Sequence, residues 1–157
     1  MKDFVDHSVF LGMHSKDEKT RIACKNFFVS RLKNKKKIWM SFEQVGKCDD
    51  MIWSLPRKKQ DAYYPFMDNL HTVMKIDRIP YSKSDIDITL NKKDLEYIDF
   101  LQRLTVGMAI SRKGVLYTTN QTLLSRKSPV TKPVLSSELY FPKNLEKLYQ
   151  KSLELRV

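Results

Sequence analysis

Hydrophobic positions along this chain fall into short runs, each followed by a longer stretch with helical spacing. Phe4 and Val5 form an apolar run that stops at Asp6. The polar pair His7-Ser8 then leads into Val9, Phe10, Leu11 and Gly12, so a strand turns at once into a helix. Ser15 and Glu18 have the spacing of a capping box, after which Ile22, Ala23, Phe27, Phe28 and Leu32 share one helical face up to Lys33-Asn34. Ile38-Trp39-Met40 reads as a second strand, and Ser41-Phe42-Glu43-Gln44 as a second capping box. Pro56 ends the helix that follows. The stretch Asp61 to His71 is again helical in pattern, with Pro65 expected to kink it or restart it.

Lys75 to Ile79 predicts a third strand, while the alternation Asp85-Ile86-Asp87-Ile88 predicts a short edge strand or extended loop. Asn91 is placed to cap a long helix from about Lys92 to Ser111, carrying Leu95, Ile98, Leu101, Leu104, Thr105 and Met108 inward. Gly114 closes that helix, and Val115 to Thr118 predicts a fourth strand. The region Ser125 to Ser137 is basic and proline-containing, with a short strand expected around Val134. Pro142 opens an amphipathic helix through Leu145, Leu148, Tyr149 and Leu153. Strand and helix alternate throughout. The pattern therefore predicts a single domain, a three-layer α/β/α sandwich around a mostly parallel sheet of four to five strands.

Composition narrows the class. With 157 residues, 41% hydrophobic and 30% charged, the chain can bury a core and is not low in complexity. A formal charge of +11 points to a polyanionic partner, nucleic acid before membrane. Cys24 and Cys48 have no zinc-type spacing and sit among apolar residues, as expected of two buried thiols in a reducing cytoplasm. The N-terminus has no basic head followed by a long apolar segment, so no signal peptide is expected. The longest apolar run, Leu104 to Ile110, is too short to cross a bilayer. No P-loop, GxGxxG or GxSxG is present.

Candidate chemistry gathers at strand ends. Asp6 and Glu43 each sit just past a strand, where ligands bind in open α/β sheets, although either also serves as a helix-capping residue. Glu43 and Asp50 are two turns apart and share a helix face, and Asp68 and His71 are near neighbours on another helix. Lys35-Lys36-Lys37, Arg57-Lys58-Lys59, Arg112-Lys113 and Arg126-Lys127 form basic loops able to hold a phosphate backbone. Tyr63 and Tyr64 are candidates to stack on bases or to fill the core.

Taken together, Val5-Asp6-His7-Ser8-Val9-Phe10-Leu11, Met40-Ser41-Phe42-Glu43-Gln44-Val45 and Gly114 to Asn120 resemble PIN-domain proteins over roughly residues 2 to 136. The segments Phe10 to Ser15, Glu43 to Asp50 and Asp61 to Thr72 are similar to a small group of uncharacterised bacterial PIN-like proteins. The resemblance implies a magnesium- or manganese-dependent ribonuclease, an RNA substrate and an antitoxin or other protein partner, with a homodimer also open. It implies family acids at Asp6 and Glu43. At the third family position stands Gln102, with Asp99 one turn earlier as its substitute, and at the fourth stands Asn120. Asp6 and Glu43 are expected to hold one metal ion with Asp99 or Asp50, and Asn120 to contribute a neutral oxygen or an amide contact. Three readings follow: a metal-dependent hydrolase of phosphodiester bonds, a PIN-like module that binds nucleic acid or protein without cutting, and a scaffold turned to other hydrolytic or biosynthetic chemistry with His14, Asp68 or His71 beside Asp6.

Overall fold

The computed structural model describes residues 1–126 and 128–157. Five strands, β1 (Asp3–Val5), β2 (Ile38–Ser41), β3 (Asp77–Ile79), β4 (Val115–Tyr117) and β5 (Val130–Thr131), form one sheet in the order β3-β2-β1-β4-β5. Every pairing is parallel, and Asp3 stands in register with both Ile38 and Val115. Between and after the strands run α1 (His7–Gly12), α2 (Glu18–Lys33), α3 (Phe42–Trp53), α4 (Arg57–Met74), α5 (Lys83–Asn91), α6 (Phe100–Ser111), α7 (Gln121–Leu124) and α8 (Lys143–Ser152).

Both faces of the sheet are covered, as a parallel sheet requires. Val5, Ile38 and Met40 point into a core built with α1, α2, α3, α4 and α8, while Phe4, Leu116 and the half-buried Trp39 point into a second core with α6 and α7. This alternation along strands of only a few residues ties each to two layers of helix. Past β5 the chain crosses to α2. There the Asn26 side chain accepts from the Leu139 amide at 2.7 Å, and Glu138 meets both Lys25 at 2.7 Å and Arg21 at 2.8 Å.

Several elements differ from the sequence expectation. Asp17, not Ser15, caps α2, its Oδ2 accepting from the Thr20 amide at 2.9 Å; Ser15 instead accepts from the Asp17 amide. The alternating Asp85 to Ile88 is helix rather than strand, because Ser82 and Asp85 close a reciprocal capping box that starts α5. Four residues of alternation are too few to outweigh that cap. Asn91 ends α5 instead of starting a long helix, a 3-10 turn covers Lys93–Leu95, and α6 begins only at Phe100. Leu95 and Ile98 are buried nonetheless, but Leu101 is 48% exposed. Pro65 sits inside the continuous α4. The last strand lies at Val130–Thr131, and Val134 is 78% exposed.

Candidate functional site at the carboxyl edge of the sheet

The strand order places the site. The chain builds outward from β1 through β2 to β3, then jumps to the other side of β1 to lay down β4 and β5. The loops after β1 and β4 therefore leave the sheet in opposite directions and open a crevice at its carboxyl edge. Asp6 and Thr118 face each other across it.

Asp6 is 3% exposed and caps α1. Its Oδ1 accepts from the Ser8 amide at 3.0 Å and the Ser8 hydroxyl at 2.5 Å, and its Oδ2 accepts from the Thr118 hydroxyl at 2.5 Å. Burial pushes the carboxyl above the ordinary range, against the hydrogen bonds from Ser8 and Thr118 that favour the anion. The Ser8 hydroxyl accepts in turn from the Thr119 amide at 2.8 Å, so β1 and β4 are stitched together at their ends.

Glu43 stands on the first turn of α3, next to a second network. The His7 amide donates to Gln44 Oε1 at 3.0 Å, and His7 Nδ1 lies 2.6 Å from the same oxygen, which requires the proton on Nδ1. Gln44 Nε2 reaches Thr105 Oγ1 on α6 at 3.3 Å. The Tyr81 hydroxyl donates to Glu43 Oε2 at 2.5 Å and lies 3.2 Å from Ser41 Oγ and 3.3 Å from Thr105 Oγ1. Glu43 Oε1 meets Lys47 at 3.5 Å. The residues that follow Asp6 and Glu43 are thus bonded directly to one another, which puts both acids on one rim.

The other candidates fall unevenly around this rim. Gln102, half buried, lies one turn before Thr105 on α6, and the exposed Asp99 sits at the start of that helix with no side-chain capping bond. Asn120 caps α7, its Oδ1 accepting from the Thr122 and Leu123 amides at 2.9 and 3.4 Å. Asp50 is exposed on α3, about 10 Å along the helix from Glu43. His14 is fully buried away from the rim, its Nε2 2.8 Å from Ser152 Oγ on α8. Asp68 and His71 make no hydrogen bond to each other. His71 stacks on Phe10 at 5.2 Å, while Asp68 is exposed. Tyr63 is core, and Tyr64 donates to Asp49 at 3.2 Å.

Among the basic candidates, Lys36 pairs with Asp3 at 3.0 Å and Lys37 with Asp77 at 2.8 Å. Asp3 and Asp77 begin their strands, so Lys35, Lys36 and Lys37 lie at the amino edge, opposite Asp6 and Glu43. Arg112 is bound to the buried Asp85 at 2.7 Å. Arg57 pairs with Asp61 at 3.2 Å and Lys58 with Glu154 at 4.0 Å, both at the start of α4 with side chains 87% and 84% exposed. Arg126 pairs with Asp94 at 2.6 Å, and Lys127 lies outside the described residues.

A magnesium or manganese ion takes about six oxygen ligands, and the rim fits one poorly. The Asp6 oxygens hold hydroxyls, Glu43 holds Tyr81 and Lys47, and the Asn120 oxygen is committed to α7. Among the described residues no three of His, Cys, Asp and Glu gather around one point. Sequence reasoning missed Tyr81 and Thr105. A tyrosine just past β3, facing the acid past β2, was the available signal for the first.

The five-stranded, all-parallel sheet with helices on both faces is a PIN-like fold. The chain belongs to a family of unknown function (DUF6190), which matches residues 1–157. No curated protein matches its sequence. Among solved structures it is similar to VapBC2 from Rickettsia felis bound to a DNA fragment from their promoter, with TM-score 0.63 at 16% identity over 84% of this chain and 98% of that one. It is also similar to a toxin–antitoxin complex from Klebsiella pneumoniae, with TM-score 0.56 at 9% identity over 86% and 100% of the two chains. A third, PAE2754 from Pyrobaculum aerophilum, gives TM-score 0.55 at 12% identity over 99% and 91%.

Proposed function

We propose that this protein is a PIN-like module that binds single-stranded RNA and does not hydrolyse it. The observation that carries the reading is the chemistry of the rim. Two acids remain, Asp6 and Glu43, both already satisfied by hydroxyl, amide and ammonium donors, while amides occupy the third and fourth family positions at Gln102 and Asn120. A cluster of four carboxylates would repel itself until a cation entered; this rim has no such need. Its hydrogen bonds instead lock β1, β4, α3 and α6 together as a scaffold. RNA as partner is supported by the net charge of +11 and by Arg57, Lys58 and the 69% exposed Trp53 grouped where α3 meets α4. The solved toxin–antitoxin neighbours also leave room for a protein partner on the same scaffold.

The test is anisotropy with a fluorescent single-stranded RNA at two salt concentrations, run beside a cleavage assay with magnesium and with manganese. Binding that weakens with salt, with the RNA left intact, is expected. Metal-dependent cleavage abolished by Asp6→Asn would overturn the proposal. The hydrolytic reading would then stand, with the uncommitted side chain of Asp99 as its extra acid.

A further inference from the structure

A cleft of about 280 Å³ opens between α3, α4 and the edge of the sheet at β2 and β3. Its lining includes Tyr63 and His71, whose hydroxyl and Nδ1 are buried with no hydrogen-bond partner among the described residues. Tyr63 is 2% exposed. Leaving such groups unpaired is costly, and both residues line the same cleft, which marks it as a place shaped for something that supplies hydrogen bonds. The His71 imidazole is neutral at physiological pH, held down to about 4 by burial and then by Arg78.

Three charged groups stand at the same cleft: Asp49, Asp68 and Arg78. Asp49 uses one oxygen to accept from Tyr64 and keeps the other free among the described residues. Asp68 has no side-chain partner there, and Arg78 makes no ion pair there. A second groove, sharing Tyr64 and Asp68 with the first, continues past Trp53 to Arg57. The Trp53 ring is 6.4 Å from that of Tyr64.

We infer that the cleft is a guanine-binding pocket. A guanine base presents adjacent N–H donors on one edge, which a carboxylate accepts in pairs, and O6 and N7 acceptors on another, which a guanidinium donates to. Asp49 or Asp68 and Arg78 supply those two complements, and Tyr63 and His71 meet the remaining polar atoms at the bottom of the cleft. The volume suits one base better than a larger ligand. Trp53 then offers a face for the next base, with Arg57 beside it for the backbone. This site deepens the RNA-binding reading and rests on it for the strand, although the same chemistry would take a free guanine nucleoside.

Titration calorimetry on the full chain with guanosine, and with adenosine and cytidine as controls, tests the pocket. Anisotropy with oligo-G and oligo-A RNA tests the strand. Guanosine is expected to bind and the controls to bind at least tenfold more weakly. Tyr63→Phe should weaken guanosine about fivefold, the loss of one hydrogen bond, and Asp49→Asn about tenfold or more. Binding of guanosine without preference for oligo-G supports the pocket and assigns it to a free nucleoside. RNA binding with no guanosine binding, or with affinity unchanged in both variants, overturns the pocket and leaves the RNA reading intact. A Tyr63→Phe protein that melts higher and changes nothing else shows a cavity holding water only, which also overturns it.

Discussion

His14 offers a test in which protonation and stability are tied to one side chain. The imidazole is fully buried, packed edge-on against Tyr63 and Phe66 and bonded to Ser152 on α8. Burial, and then the positive charges of Arg156 and Arg21, lower its pKa from 6.5 to about 3. Between those values the unfolded chain carries a proton that the folded chain refuses. Stability from this group is therefore complete above pH 6.5, falls as pH drops, and is gone below about pH 3. Each pH unit within the window is worth about 1.4 kcal/mol.

Lowering the pH from 6.5 to 4.5 should thus cost about 2.3 kcal/mol through His14 alone, because the unfolded imidazole is already half protonated at pH 6.5. In a chain of this size that is roughly 5–10 °C in melting temperature. His14→Gln removes the titration while keeping an amide able to reach Ser152, and His14→Met removes it with an apolar side chain of similar length. Carboxylates such as Glu138, held down by Arg21, titrate in wild type and variants alike and cancel in the comparison. Chemical denaturation at both pH values should show the variants losing about 2.3 kcal/mol less than wild type across the interval. Equal losses in wild type and both variants would refute the assignment of this pH dependence to a buried neutral His14.

Two further outcomes follow from the packing of α5 on α6. A Cβ at Gly107 would collide with the Thr89 hydroxyl and stand 3.0 Å from the Asp85 carbonyl oxygen, so Gly107→Ala should destabilise by about 2 kcal/mol despite alanine's better helix propensity; an unchanged urea midpoint would show that the helices can part cheaply. Arg112→Ala strands the fully buried Asp85 carboxylate and should cost about 3 kcal/mol, while salt-dependent RNA binding stays at the wild-type level; weaker RNA binding in a variant of unchanged stability would return Arg112 to the nucleic-acid surface.

The architecture was legible because its signals are local and redundant. Apolar runs at Phe4-Val5, Ile38 to Met40 and Val115 to Tyr117 recur at helix-sized intervals, and only a parallel sheet covered on both faces absorbs that pattern. Errors arose where two local rules competed within a few residues. Asp85 to Ile88 alternates like a strand, yet Ser82 three residues before Asp85 is a cap, and the cap prevailed once Arg112 neutralised the buried carboxylate from another helix. No local pattern contains that third partner.

The rim was half visible for the same reason. Asp6 and Glu43 follow strands directly, so position alone nominates them. What each can do depends on Thr118, Tyr81 and Thr105, which arrive from β4, the loop past β3, and α6. Charge takes its meaning from the fold in a related way. Lys35 to Lys37 looks like a phosphate clamp in one dimension, but the cluster follows α2 and precedes β2, which fixes it at the amino edge beside Asp3 and Asp77. There it neutralises strand-initial carboxylates and the negative end of a helix. A chain's acids and bases thus become chemistry only through the order in which its strands are laid down, and here that order faces the acids toward hydroxyls from β4 and from the loop past β3, and keeps the lysines on the opposite edge.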